Sequence, residues 1–448
     1  MSNFKTNISA ELISRVSRGL GASALIPIAT MVAQLGTVPF LLHAWGAAKY
    51  GDWLMLSALP SYLALSDLGF GNASGSDMTY RVAQNDHRGA LRTFQSSWIL
   101  LTFVSLALLL IALPVIWLAP WQQWLNLSSL SGWETKAVLS ILGVFSLLTQ
   151  QNSVFESGFR CEGNFAAGTF WWTIQRLGET SLATIVAMKG GSLVQVALTY
   201  LLARVAGTAL YARLLFRLSP WLHLGIRHAD WSIVKRLTRP AVGFIVFPLA
   251  YALSLQGFTL LVGVMLGSTV VMFFTTMRTF TRLNLQLTNT IARPLWPELS
   301  SAFASGNVAL ARTLHRYAFQ ATIVVSATAG CLTWIFGPAI YNLWIAGKAT
   351  LDPTCFHVLL LLGVANSVWN TSSVVPMSTN VHDGIAWRFL FLTSLSLALG
   401  VFLARTMGMT GAAVSLLMTD LAMCWIVLHA ALKQLGVGPK TLLEVAWA

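Results

Sequence analysis

Runs of about 20 apolar residues recur from one end of the chain to the other, each long enough to cross a hydrocarbon core of roughly 30 Å. No other feature constrains the fold as tightly. A bilayer interior offers no water to unpaired backbone groups, so a chain built of such runs folds as membrane helices. Composition agrees. Of 448 residues, 56% are hydrophobic and 10% charged, with a mean hydropathy of +0.68, where a soluble domain carries roughly 25% charged residues. The runs predict twelve helices, near 21–43, 51–74, 95–118, 137–158, 165–188, 192–216, 240–265, 269–292, 314–345, 354–377, 386–404 and 410–432. The expected fold is an all-α polytopic membrane protein.

The segment 1–20 is not expected to be a signal peptide, since no uninterrupted apolar core precedes a small-residue cleavage site. Its apolar positions Ile8, Leu12, Val16 and Leu20 recur every four residues, the pattern of an amphipathic helix on a membrane surface. Lys and Arg set sidedness. With both termini in the cytoplasm, nineteen of the 28 basic residues fall in inner segments and five in outer loops. That asymmetry explains most of the net charge of +13, so nucleic acid is not needed as a partner; the lipid bilayer is. The expected organisation is a six-helix lobe over 21–216, a basic cytoplasmic linker over 217–239, a second six-helix lobe over 240–435 and a cytoplasmic tail over 436–448. Cys161, Cys331, Cys355 and Cys424 lie far apart and read as packing residues, with no metal site or redox pair.

The two halves look related. HAWGAAKYGDW matches VMLGSTVVMFF, Gly46 against Gly267, 221 positions apart. LRTFQ matches RYAFQ, Gln95 against Gln320, 225 apart, and Pro120 stands against Pro338, 218 apart. Six spans return the chain to its starting side, so the repeat is parallel. Two pseudo-symmetric lobes around a central polar cavity are the expectation, as in transporters built by duplication.

Four arginines remain inside spans: Arg176, Arg204, Arg278 and Arg282. A charge at the bilayer centre costs about 2.5–3.5 kcal/mol even on the lenient insertion scale. In FFTTMRTFTRLNLQLTNTIAR, the residues Thr275, Arg278, Arg282, Gln286, Asn289 and Arg293 step by threes and fours and draw one polar stripe on a helix. Arg278 lies roughly 15 Å from the helix's outer end at 1.5 Å per residue. Two guanidiniums on one face require water, an acidic partner or an anionic ligand. Pairing with Glu179 or Asp420 is the plain structural reading; an anion-attracting cavity is the functional one. Arg176 and Glu179, three apart, could neutralise each other, and Arg204 could bond freed backbone carbonyls. Asn366, Trp369, Asn370 and Ser373 share a face, as amides that bind sugar hydroxyls or join helices. Gln150, Gln151, Asn152 and Glu156 pose the same choice. Asp420 is a candidate for coupling a proton or sodium ion, or an arginine partner.

The stretch YGDWLMLSALPSYLALSDLGFGNAS carries Asp52 in the first turn of the second span, where the helix dipole favours a carboxylate. Pro60 removes a backbone hydrogen bond and is expected to bend that span. Gly69, Gly71 and Gly75, following Asp67, permit a helix break or close packing.

In WGAAKYGDW (Trp45 to Trp53), YLALSDLGFGNA (Tyr62 to Ala73) and LWPELS (Leu295 to Ser300) the sequence resembles the Wzx-type O-antigen and exopolysaccharide flippases of the multidrug/oligosaccharidyl-lipid/polysaccharide exporter superfamily. Span number, sidedness and repeat cover the whole chain; the specific motifs cover a minor part. The resemblance implies transport of an undecaprenyl-diphosphate-linked oligosaccharide across a bacterial inner membrane, by alternating access and without ATP hydrolysis. It implies lumen arginines that bind the pyrophosphate. By depth and stripe geometry these are Arg278 and Arg282, then Arg176 and Arg204. Thr275, Gln286, Asn289, Asn366 and Asn370 would line the polar cavity. Asp67, Glu179 and Asp420 would serve as coupling or structural acids. No cofactor is expected beyond a coupling sodium ion or proton. Polysaccharide polymerase and chain-length proteins are the implied partners.

Three other functions compete. A drug/cation antiporter of the same fold predicts a cavity of carboxylates and aromatics. A peptidoglycan-precursor flippase would carry two further spans. A membrane enzyme would need a sizeable outer loop, and PWQQWLNLSSLSGWETK offers neither a nucleophile with a matching base nor a metal spacing. The chain is therefore not expected to be an enzyme.

Overall fold

The computed structural model describes residues 10–67, 69–347, 351–379 and 381–437. Residues 1–9 of the expected surface segment and 438–448 of the tail fall outside the described residues, as does the Arg293 side chain. Among the described residues there is no strand; fourteen α-helices carry the fold. They are α1 (Ala10–Leu63), α2 (Phe70–Ala83), α3 (His87–Leu118), α4 (Trp121–Trp124), α5 (Gly132–Cys161), α6 (Phe165–Met188) and α7 (Leu193–Leu218), then α8 (Trp231–Ala252), α9 (Phe258–Leu266), α10 (Ser268–Thr281), α11 (Leu283–Ala304), α12 (Val308–Trp344), α13 (Pro353–Ser378) and α14 (Asp383–Gln434). All twelve expected spans lie on these helices, the second interrupted near its end and the seventh and eighth each made of two. The described residues hold seven segments long and apolar enough to cross a membrane, and α14, at 52 residues, is one of them.

Local chemistry sets the helix starts. Ser131 with Glu134 and Ser192 with Gln195 form reciprocal capping boxes at α5 and α7, each satisfying two orphan backbone donors. Asp86, Asn307 and Asp352 cap α3, α12 and α13 through their side chains, and Pro353 follows as the first residue of α13, where its missing N–H is harmless. The long helices α1 and α14 each turn at one residue, Gly46 (φ 72°) and Gly408 (φ 60°). Only glycine takes such a conformation freely.

Those left-handed positions make the repeat visible in the backbone. Gly46 and Gly267 are 221 apart, Asn85 and Gly306 are 221 apart, Asn126 and Ala346 are 220 apart, and Gly190 and Gly408 are 218 apart; all eight have positive φ. Four junctions of the first half recur in order in the second.

The helices form two compact units, one spanning Gly36–Met272 and the other combining the chain up to Leu35 with Phe273 onward. In the first, Phe94, Phe155, Phe159 and Tyr211 pack with Ile233, Val234, Leu237 and Ala241 of α8. Helix thus begins inside the basic 217–239 segment, and its apolar face is buried in the core of the first unit. In the second unit, Leu295 and Leu299 of α11 pack with Leu314 of α12, Val375 of α13 and Ala431 of α14.

Charged groups reinforce the α2–α3–α8 corner. Asp77 accepts hydrogen bonds from Arg81 Nε (2.9 Å), Thr93 Oγ1 (2.6 Å) and Arg236 Nη2 (2.9 Å). Arg81 also reaches Asp86 (2.8 Å), and Arg92 reaches Asp230 (2.8 Å). A side chain on Gly89 would collide with Asp86 and Arg81, so the pair lies across a bare helix start.

The stretch 50–74 departs from expectation at two points. Pro60 keeps helical geometry; the break comes later, where a 3-10 turn (Ala64–Asp67) leads to Gly69 (φ 77°). The reason is local: Asp67 Oδ1 accepts from Gly69 N (3.0 Å), which stabilises a turn that proline alone does not enforce. Asp52, expected only in the first turn of the span, is completely buried. Gly71 packs against Ser153 as anticipated, with Ser157 Oγ donating to the Gly71 carbonyl (2.6 Å).

Hydrogen bonds from Gly89 N and Arg81 hold the Asp86 carboxyl below the usual carboxylate range, and Ser232, then Arg92 and Arg236, do the same for Asp230. Lowered carboxyl pKa values stabilise the fold above the unfolded value of about 3.9 and lose that contribution as pH falls through the folded value. Hydrogen exchange in residues 219–236 is therefore expected to quicken as pH drops below about 4, beyond the intrinsic pH dependence, and to do so at higher pH in Arg92→Gln. Protection that ignores both changes would contradict the clasp.

Candidate functional site

The stripe on the eighth span spans α10 and α11, which join at Arg282 with the intervening backbone bonds kept: Arg282 N donates to the Arg278 carbonyl (3.1 Å), and Gln286 N to that of Arg282 (3.2 Å). Arg278 and Arg282 stand one turn apart. Arg278 is buried, its guanidinium 5.1 Å from the Phe274 ring, and it feels the charge of Arg282. Arg282 is half-buried, as are Thr275, Gln286 and Asn289.

Two neighbouring helices bring further expected residues to this side. Asn370 of α13 donates to Asn289 Oδ1 of α11 (2.5 Å). Asp420 of α14 is buried and accepts from Asn366 Nδ2 and from Trp369 Nε1, both at 2.6 Å. Arg282 acts on Asp420 electrostatically. A cationic helix face, an amide pair and a carboxylate held by two neutral donors thus gather in the second unit. Such an array can bind an anion through the guanidiniums, which match phosphate oxygens bidentately, and sugar hydroxyls through the amides.

The first unit treats its charges differently. Arg204 Nη2 meets Glu179 Oε2 at 2.7 Å, with both side chains no more than 4% exposed. Its Nη1 donates to Thr149 Oγ1 (3.0 Å), and the guanidinium stacks 4.3 Å from Phe145 and 5.1 Å from Trp172. Glu179 also accepts from Gln175 (3.0 Å). The two simple pairings expected here, Arg176 with Glu179 and Arg204 with backbone carbonyls, give way to this one. Glu179 is on the buried face of α6 while Arg176 is exposed, so Arg204 from α7 supplies the nearer charge. Asp67 serves the turn before Gly69. Gln150 joins helices, bonding the Leu63 carbonyl (2.9 Å), Ser66 and Ser105.

Thr149, Gln175, Asn284 and Ser268 went unnoticed in the sequence. Asn284 donates to the Ser326 carbonyl (3.1 Å) and holds α11 against α12. Its only signal was an amide in a span, with no charge to flag it.

The chain matches no protein-family model and no curated protein sequence. Its fold does match solved structures. An inward-facing multidrug resistance MATE family transporter of the MOP superfamily superposes with a TM-score of 0.76 at 14% identity, covering 93% of this chain and 98% of that one. A MOP superfamily transporter from Pyrococcus furiosus, described as having a binding pocket of reversed polarity that suggests a different function, gives 0.67 at 14%, covering 94% and 95%. A MATE protein in complex with MaD3S gives 0.67 at 16%, covering 94% and 96%. The chain shares the fold of these solved structures.

Removing Glu179 would leave Arg204 buried and uncompensated. Glu179→Ala is expected to destabilise the protein by roughly 3–5 kcal/mol, read as a fall in unfolding temperature in detergent. Glu179→Leu with Arg204→Met should restore most of the loss, since both charges leave together. Equal stability of wild type and Glu179→Ala would contradict the assignment.

Proposed function

We propose that the protein is a membrane transporter that works by alternating access and carries an undecaprenyl-diphosphate-linked oligosaccharide from the cytoplasmic to the periplasmic leaflet of a bacterial inner membrane. The observation that carries this reading is the sign of the charge on the α10–α11 stripe: Arg278 and Arg282, one turn apart inside a span. A diphosphate is the ligand class that relieves the repulsion of two such groups. Asn289 and Asn370 supply hydrogen bonds for the first sugars, and the prenyl tail stays in lipid. Arg176, exposed on α6, is a secondary phosphate contact; Arg204 contributes mainly through its pair with Glu179. Asp420 is the proposed coupling acid, for sodium or a proton. Both termini are placed in the cytoplasm by the distribution of Lys and Arg, and polymerase and chain-length proteins are the proposed partners. No enzymatic step is required.

A second reading has its own observation. Asp420 beside Trp369 is the kind of carboxylate–aromatic pair that holds an organic cation, and a similar structure is described as a multidrug resistance transporter. Under that reading the chain exports cationic drugs.

One experiment separates them. Deletion of the gene in its host should make lipid-linked repeat units accumulate inside while surface polysaccharide disappears. Rescue by Arg278→Ala, Arg282→Ala and the double variant should fail despite normal protein abundance. Normal export by the double variant would remove both side chains from the mechanism. Unchanged polysaccharide together with new sensitivity to cationic dyes would establish the second reading instead.

A further inference from the structure

Asp52 is fully buried, yet no lysine, arginine or histidine pairs with it among the described residues. Its carboxylate is held by neutral donors from two distant segments. Ser129 N donates to Oδ2 at 2.8 Å and Ser128 N to Oδ1 at 3.4 Å, both from the loop before α5. The Ser129 hydroxyl bonds Oδ2, and the hydroxyl of Ser268, the first residue of α10, bonds Oδ1. One residue earlier, Gly51 meets the Ser268 carbonyl so closely that a Cβ would collide with it. The amino ends of two membrane helices therefore touch backbone to backbone, with Asp52 tying them together.

Three features distinguish this contact from an ordinary core staple. Its donors are hydroxyls and backbone N–H groups, and water can replace each one, so separation loses only the net difference between two hydrogen bonds. Both helices start at a left-handed glycine, Gly46 (φ 72°) and Gly267 (φ 92°), and such helix ends readily absorb the backbone rotation of a hinge. Beneath the carboxylate lies a smooth apolar layer: Met55, wholly buried, abuts Gly263, whose missing side chain leaves room for it, close to Val271. A polar cap over an apolar seal, between two pivots, is built to part and re-form.

We infer that Asp52 is a gate latch. It holds the amino ends of the second and eighth spans and the 128–129 loop together, and it releases whenever that face of the protein opens. The inference rests on the transport reading but not on the identity of the cargo.

The test uses the full chain with Cys331→Ala, because Cys331 is exposed, and with Met55→Cys as reporter. In proteoliposomes a membrane-impermeant maleimide is applied on the side carrying residues 128–129. Ser268→Ala and Asp52→Ala are each expected to raise the labelling rate about tenfold, the population shift that follows loss of a hydrogen bond to a charged group. Asp52→Asn should raise it less, since the amide oxygen still accepts from Ser129. An Asp52→Cys/Ser268→Cys pair, once oxidised, should suppress labelling and stop transport until reduced. If Asp52→Ala does not fold, Ser268→Ala and Asp52→Asn decide the matter. Labelling that stays at the starting rate in folded latch variants would overturn the proposal, as would normal transport by the cross-linked protein. Labelling needs no substrate, so a wrong cargo assignment leaves this result intact.

Discussion

Hydrocarbon gives a buried polar group no partner, so every polar side chain within a span must find one inside the protein or use one that arrives. Most of the polar contacts described here follow from that constraint. Arg204 and Glu179 answer it together, with Thr149 accepting a further bond from Arg204. Gln150 answers it by joining a helix end to α3, and Asp420 by drawing donors from two residues of α13. Arg278 and Arg282 differ in that two like charges one turn apart act on each other. Their placement on a face with Thr275, Gln286 and Asn289 is what a ligand of opposite charge would need.

Much of the fold was legible because a membrane simplifies the problem. Length and hydropathy alone put all twelve expected spans on helices, and the weak pairing of Gly46 with Gly267 marked a junction that recurs in the backbone. Two further pairs of left-handed positions went unread because Asn85, Asn126 and Ala346 carry no glycine signal, and the Gly190–Gly408 pair was missed although both are glycine. The capping boxes at Ser131 and Ser192 were readable and unused; each marks a helix start to the residue. The bend expected at Pro60 is absent, whereas the break anticipated near Gly69 is made by the Asp67 side chain and that left-handed glycine.

The site was legible in part. Periodicity found the α10–α11 stripe because threes and fours on one helix are a local pattern. Partners across helices are not local. Nothing in the spacing of Glu179 announces Arg204, which is 25 residues away, or the Thr149 hydroxyl on a third helix. Asp52 was read from its position near a helix start, and that was right as far as it went; its burial depends on Ser128, Ser129 and Ser268, which no periodicity connects.

Arg204 thus closes an ion pair in the first unit, while Arg278 and Arg282 stand one turn apart across the α10–α11 junction. The claim at the centre is that Arg278 and Arg282 form a diphosphate site. Binding of farnesyl diphosphate to the purified protein in neutral detergent tests it most directly, by calorimetry at low and high salt. The account predicts saturable binding that weakens with salt, exceeds that of farnesyl monophosphate, and disappears in Arg278→Gln/Arg282→Gln. Equal affinity for diphosphate in wild type and the folded double variant would contradict it.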